Sequence, residues 1–149
     1  MKLEDEIKQK EFKSEYNKAI VNMIYTFNWM DAKSRSFFEP YGLTPQQFNI
    51  LRILRGQFPQ PATVNLLKER MLDKMCDASR IVERLRLKGL LERNTCQNDR
   101  RAVDIKISEQ GLKLLDEIDS GMNDFDNMLS LLTSDEVSKL NELLDKLRG

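Results

Sequence analysis

The apolar positions early in the chain recur in steps of four and three: Tyr16, Ile20, Met23, Phe27 and Met30, then Ser34 and Phe37. Such a stripe marks one face of a long helix at heptad spacing, and Gly42 closes it. A second helix is predicted at Thr44-Pro45-Gln46-Gln47. Thr44 supplies a cap, Pro45 suits the first helical position and Gln47 completes a capping box. Phe48, Ile50, Leu51 and Leu54 form its buried side, and Gly56, Pro59 and Pro61 punctuate its end. Thr63 is the next cap, opening a short helix from residue 64 to about 71. After a tight connection at Leu72-Asp73, a further helix is predicted from about 75 to 88. Its inner face is Ala78, Ile81, Val82 and Leu85; its outer face carries Asp77, Arg80, Glu83, Arg84 and Lys88. Gly89 stops it in the left-handed cap position.

The period then changes from helix to strand. Residues 90–93 read as a strand, 94–98 as a polar loop and 102–107 as the antiparallel return, where Val103, Ile105 and Ile107 alternate with Asp104 and Lys106. Two short helices joined tightly and followed by a hairpin make a winged helix-turn-helix. Two more helices complete the chain. The first carries Leu115, Ile118, Met122, Phe125, Leu129 and Leu132. The second opens at the capping box of Thr133 and Glu136 and is striped by Val137, Leu140, Leu144 and Leu147. The fold class expected is mainly α with a small β-hairpin wing.

Composition narrows the chemistry. With 40% hydrophobic and 32% charged residues over 149 positions, the chain reads as one soluble globular domain. It has no apolar run long enough for a bilayer, and the opening MKLEDEIKQKEF lacks the apolar core of a signal peptide, so a cytoplasmic protein is expected. There is no histidine, the commonest general base and metal ligand. Cys76 and Cys96 form no CxxC pair. With neither a nucleophile elbow nor a phosphate loop, the expectation is no enzyme, no metal and no cofactor. The zero net charge hides an asymmetry. Residues 52–106 hold 13 Lys and Arg against 7 Asp and Glu, and the remainder hold 11 against 17. A basic centre between acidic flanks suits a polyanion.

Three stretches carry a family likeness. Asp99, Arg101, Ile107, Ser108 and Gly111 fit the pattern Asp-x-Arg, five residues, Leu or Ile, Thr or Ser, two residues, Gly, with every spacing kept. LTPQQFNIL at 43–51 and RMLDKMCDASRIVERLRLKGLLER at 70–93 resemble the segments that lead into and form a recognition helix and first wing strand. Together they resemble the MarR family of transcriptional regulators over nearly the whole chain. The resemblance implies a single domain, 1–149, with dimerisation helices at about 8–38 and 109–148 around a DNA-binding lobe at about 44–108. It departs from the family at Cys76, where serine is frequent, and at Asp77, which adds a negative charge.

On this reading Thr63, Lys74, Met75, Cys76, Asp77, Ser79, Arg80 and Arg84 are the helix-turn-helix candidates for double-stranded DNA. Arg80 and Arg84, four apart, share one outward face, and Asp77 is expected to cap the helix or orient Arg80. In the wing, Asp99 and Arg101 share a strand face with Val103, Ile105 and Ile107. A carboxylate two residues away can hold the guanidinium, and the resemblance assigns this pair to the minor groove. Arg100, on the other face, is a phosphate contact. Tyr16, Ile20, Ile118, Met122, Phe125, Leu129, Leu140 and Leu144 are the candidates for a homodimer interface. Tyr25, Phe27 and Trp29 are candidates for a pocket, since the family resembled commonly binds small, often aromatic effectors. Cys76, near Lys74 and Arg80, is either a thiolate favoured by those cations or a small, weakly polar spacer. The function expected is a sequence-specific DNA-binding repressor, relieved by a small ligand, on a pseudo-palindromic operator. The rival is a helical adaptor that uses the wing for protein contacts.

Overall fold

The computed structural model describes residues 1–95 and 103–149. Cys96, Asp99, Arg100 and Arg101 lie outside the described residues. The elements follow as α1 (Leu3–Glu6), α2 (Glu15–Phe38), α3 (Pro45–Gln57), α4 (Val64–Arg70), α5 (Ala78–Leu87), β1 (Leu91–Thr95), β2 (Val103–Ile107), α6 (Glu109–Asp126) and α7 (Ser134–Arg148). Single turns of 3-10 helix, Glu39–Tyr41 and Asn127–Leu129, follow α2 and α6.

Local chemistry sets most boundaries. Thr44 Oγ1 accepts from Gln47 N at 3.2 Å while Gln47 Oε1 accepts from Thr44 N at 3.1 Å. Thr133 and Glu136 repeat the box at the head of α7. Such caps satisfy amide donors that the first helical turn leaves without partners. The chain then passes Gly89 at φ 72°, a left-handed conformation that side chains with a Cβ rarely adopt. Leu90 N closes the turn on Leu85 O at 3.1 Å.

β1 and β2 pair antiparallel with Leu91 opposite Ile107 and Thr95 opposite Val103. The first wing strand thus runs two residues past the sequence expectation, because Asn94 and Thr95 find partners in Asp104 and Val103. Ala62, before α4, also pairs with Ile105, donating to its carbonyl at 2.8 Å and accepting from its amide at 2.9 Å. The core sits here. Ile50, Leu51 and Leu54 of α3, Leu67 of α4, Val82 and Leu85 of α5, Ile105 and Ile107 of β2, and Leu115 and Ile118 of α6 form one buried cluster. Each such side chain contributes about 1.5–3 kcal/mol of burial.

The terminal helices are packed differently. α2 buries only Phe38, and α7 buries no residue. α1, which no periodicity announces, folds back on α2: the Tyr25 hydroxyl donates to Glu6 at 2.9 Å, and Lys18 pairs with Glu4 at 2.5 Å. Arg55 of α3 grips Asp119 of α6 through both terminal guanidinium nitrogens, Nη1 and Nη2, at 2.6 and 3.3 Å, tying the lobe to the helical layer.

Candidate nucleic-acid interface

Helix α5 presents its functional face because its other face is locked. Ala78, Val82 and Leu85 are buried and Ile81 packs against the same core. The remaining positions point outward, and Ser79, Arg80 and Arg84 are exposed. The helix begins at Ala78, three residues later than the sequence periodicity suggests. Asp77 is its N-cap, accepting from Arg80 N at 3.1 Å. Met75 and Cys76 therefore belong to the preceding turn.

That turn is tightly held. Asp73 Oδ1 accepts from Met75 N at 3.0 Å, and Asp73 Oδ2 accepts from Gln46 Nε2 of α3 at 3.4 Å. Leu72 N donates to Asn49 Oδ1 at 3.0 Å. Gln46 and Asn49 were not among the sequence candidates; lying three apart on α3, they are aligned on one helix side, the one signal that could have drawn attention to them. Lys74 is drawn back onto α4, donating to the carbonyls of Lys68 and Glu69 at its end. Thr63 likewise has a local task, capping α4 through Leu66 N at 3.2 Å.

The charges on the exposed face divide. Glu83 pairs with Arg86 at 2.8 Å and approaches Arg93 at 3.8 Å, and Arg86 holds the Glu83 carboxyl below its ordinary value. Among the described residues, no ion pair engages Arg80 or Arg84. A helix with two such guanidiniums on one face, fixed from behind by core packing, is suited to a groove lined with phosphates and base edges. At its far end Lys88 donates to Gly42 O and to Gln47 Oε1, the latter at 3.2 Å, anchoring α5 to the junction between α2 and α3.

Known proteins resemble this chain in sequence and fold. The sequence model of the MarR family matches residues 41–102. The HTH-type transcriptional regulator MhqR of Bacillus subtilis (strain 168) is 30% identical over 107 residues, covering 71% of this chain and 72% of that protein. The chain belongs to the MarR family. Among solved structures, a cysteine-to-serine mutant of MarR from E. coli in complex with operator DNA aligns at a TM-score of 0.75 and 26% identity, covering 99% of each chain. An organohalide-sensing transcriptional regulator, in its 2,4-dichlorophenol-bound form, aligns at 0.82 over 94% of this chain and 85% of that one. At 21% identity that likeness is one of fold. The family's members are transcription factors, and this chain is a DNA-binding regulator of that kind. Among the described residues, no helix is long and apolar enough to cross a membrane, and no three potential ligands cluster for a metal.

In this MarR-family chain the pocket candidates do not converge. Tyr25 is engaged with Glu6, whereas Phe27, two positions on and so roughly 200° around the helix, lies exposed on another face. Phe27 lines a groove of about 410 Å³ between α2 and the turn before α5, with Asp31, Pro45, Asn49, Leu72 and Lys74; Tyr25 and Trp29 are not part of its lining. The dimer candidates also divide. Ile118 is fully buried in the core of its own chain and cannot meet a second copy. Met122 and Phe125 pack on that core, Phe125 within 5.4 Å of Phe37 and 5.9 Å of Phe38 between ring centres. Tyr16, Ile20, Leu129 and Leu140 are exposed, and Leu144 is half-buried. Ile24 and Leu143, absent from the sequence candidates, are exposed as well.

Cys76 is not primed as a thiolate. Burial pushes its thiol up, and the carboxylates of Asp73 and Asp77 push the same way. The thiol donates to Asp73 O at 3.0 Å, and Lys74, one of the two cations expected to help, is committed to α4. The cap at Asp77 is testable directly: Asp77→Ala is expected to lower stability by about 1 kcal/mol, seen as a reduced urea midpoint. An unchanged midpoint would mean that Arg80 N does not depend on this carboxylate.

Proposed function

We propose that the chain acts as a homodimeric repressor that binds a pseudo-palindromic operator through α5 and the wing, and that a small aromatic ligand relieves the repression. The observation that carries the DNA-binding half of this reading is the pair Arg80 and Arg84, exposed on a helix whose opposite face is locked in the core. Asp99, Arg100 and Arg101 enter from the sequence alone, as the wing's minor-groove and phosphate contacts. Two copies related by a two-fold axis would offer two α5 helices to half-sites one helical turn apart. Selection from a random duplex pool tests this. The expected product is an inverted repeat with half-sites about 10 base pairs apart centre to centre, bound with a steep salt dependence. Recovery of no duplex would favour the adaptor reading instead.

The ligand half rests on the groove beside Phe27. Its outer wall is Leu72 and Lys74, in the turn that leads into α5, so an occupant would press on the segment that sets the start of the recognition helix. Small aromatic acids that bind there are expected to weaken operator binding, and operator should weaken their binding by the same factor. Phe27→Ala is expected to abolish that response while leaving operator affinity unchanged without ligand. Equal responses in parent and variant would move the ligand site elsewhere.

A further inference from the structure

We infer that Met75 reads the C5 methyl group of a thymine at one position in each half-site, so that the leading end of the recognition element selects a base by apolar contact. The inference rests on the reading that α5 enters the major groove. Its starting point is an imbalance at the tip of that element. Met75 is 93% exposed, two residues before the Asp77 cap, although methionine gains nothing from water. The polar groups around it are already committed. Both Asp73 carboxylate oxygens accept hydrogen bonds, one of them from the Met75 amide itself. The Lys74 ammonium is held by carbonyls of α4, the Cys76 thiol by Asp73 O, and Asp77 by Arg80 N.

What residues 73–77 hold out is therefore the flexible thioether of Met75, on a backbone fixed by its own amide hydrogen bond. Residues at the leading end of a recognition helix are those that reach base edges. Among the four bases, thymine alone shows an apolar group in the major groove. Methionine adapts its shape to such a target. The carboxylates of Asp73 and Asp77 beside it disfavour a close phosphate, which leaves the base edge as the partner. Arg80 and Arg84, further along the same exposed surface, are left for phosphates and guanines.

The test replaces each thymine of the selected operator in turn by deoxyuridine, which keeps base pairing and removes only the methyl. For the parent, one substitution per half-site is expected to weaken binding about fourfold, the worth of one buried methyl-sized group. Met75→Ala should bind the thymine operator about fourfold more weakly and be indifferent to deoxyuridine at that position. Met75→Leu should restore the discrimination. Because Met75 touches no core residue, circular dichroism of each variant should match the parent. The inference is overturned if no thymine methyl matters, or if the alanine variant discriminates as the parent does. A pool that yields no bound duplex would instead remove the major-groove reading on which it stands.

Discussion

Gly111→Ala is expected to unfold the DNA-binding lobe under conditions where the parent is intact. Gly111 is buried in the first turn of α6. A Cβ there would fall 2.2 Å from the Leu90 carbonyl oxygen and 2.8 Å from Ile107 Cγ1. The carbonyl cannot step aside, because Ser108 N donates to it at 3.1 Å. Ser108 Oγ in turn donates to Gly89 O at 2.7 Å and accepts from Gly111 N at 3.0 Å. The start of α6 is thus laced to the end of α5 through backbone atoms, and a methyl group can enter only by parting the two. Alanine's better helix propensity returns about 1 kcal/mol, against an overpacking cost of about 3 kcal/mol or more when backbone must move. Gly56→Ala is the matched control. It lies in α3 with nothing within 4 Å of the new Cβ, so propensity acts alone and the urea midpoint should rise. Equal shifts for the two variants would refute this packing.

The same lacing explains part of what could be read in the sequence. Ile107, Ser108 and Gly111 fit a family pattern, and their reasons prove to be architectural: a buried strand residue, a helix cap and a close backbone approach. Helices α3 and α7 were legible because a 3.6-residue stripe and a local cap agreed at each; α2 was legible from its stripe alone, and it starts at Glu15, where Ser14 caps it, rather than at about residue 8. The start of α5 was not. Asp73 and Asp77 have the same capping chemistry, and Gln46, distant in sequence, helps hold Asp73 in the turn. The Ala62–Ile105 bridge involves one residue pair, too short for any period.

The candidate site was legible where chemistry is local and obscure where it depends on what covers a surface. Arg80 and Arg84 followed from helical spacing, and their exposure follows from the core behind them. Lys74 did not, because nothing in its neighbourhood tells that the ammonium turns back onto α4. Ile118 shows the same limit in the apolar residues. A stripe says that a side chain is buried but not by what, and here α6 covers Ile118 within its own chain. Phe27 separates from Tyr25 and Trp29 by helix geometry, yet only the turn at Leu72 and Lys74 makes its side a groove.

Leu143→Asp is expected to convert the protein from dimer to folded monomer and to weaken operator binding by about 100-fold or more, the usual scale for losing a linked second site. Helix α7 has 15 residues, an apolar stripe and no buried side chain. A helix of that length is marginal in water unless its apolar face is covered. Leu140, Leu143 and Leu147 on α7 and Tyr16, Ile20 and Ile24 on α2 stand exposed, and contiguous apolar surface on such helices marks an interaction site. A second copy, as proposed above, supplies the cover. Phe125 would be a poor probe, since its ring lies against Phe37 and Phe38 and a charge there would disrupt the chain's own core. Leu143 is 53% exposed and α7 buries nothing in the lobe, so the lobe should keep its urea transition. Circular dichroism should show loss of helix confined to about one terminal element. Sedimentation and operator titration then decide together. A Leu143→Asp protein that sediments as the parent does places the copy-to-copy surface elsewhere; one that is monomeric yet binds operator with parental affinity shows that α5 does not need a partner to hold DNA.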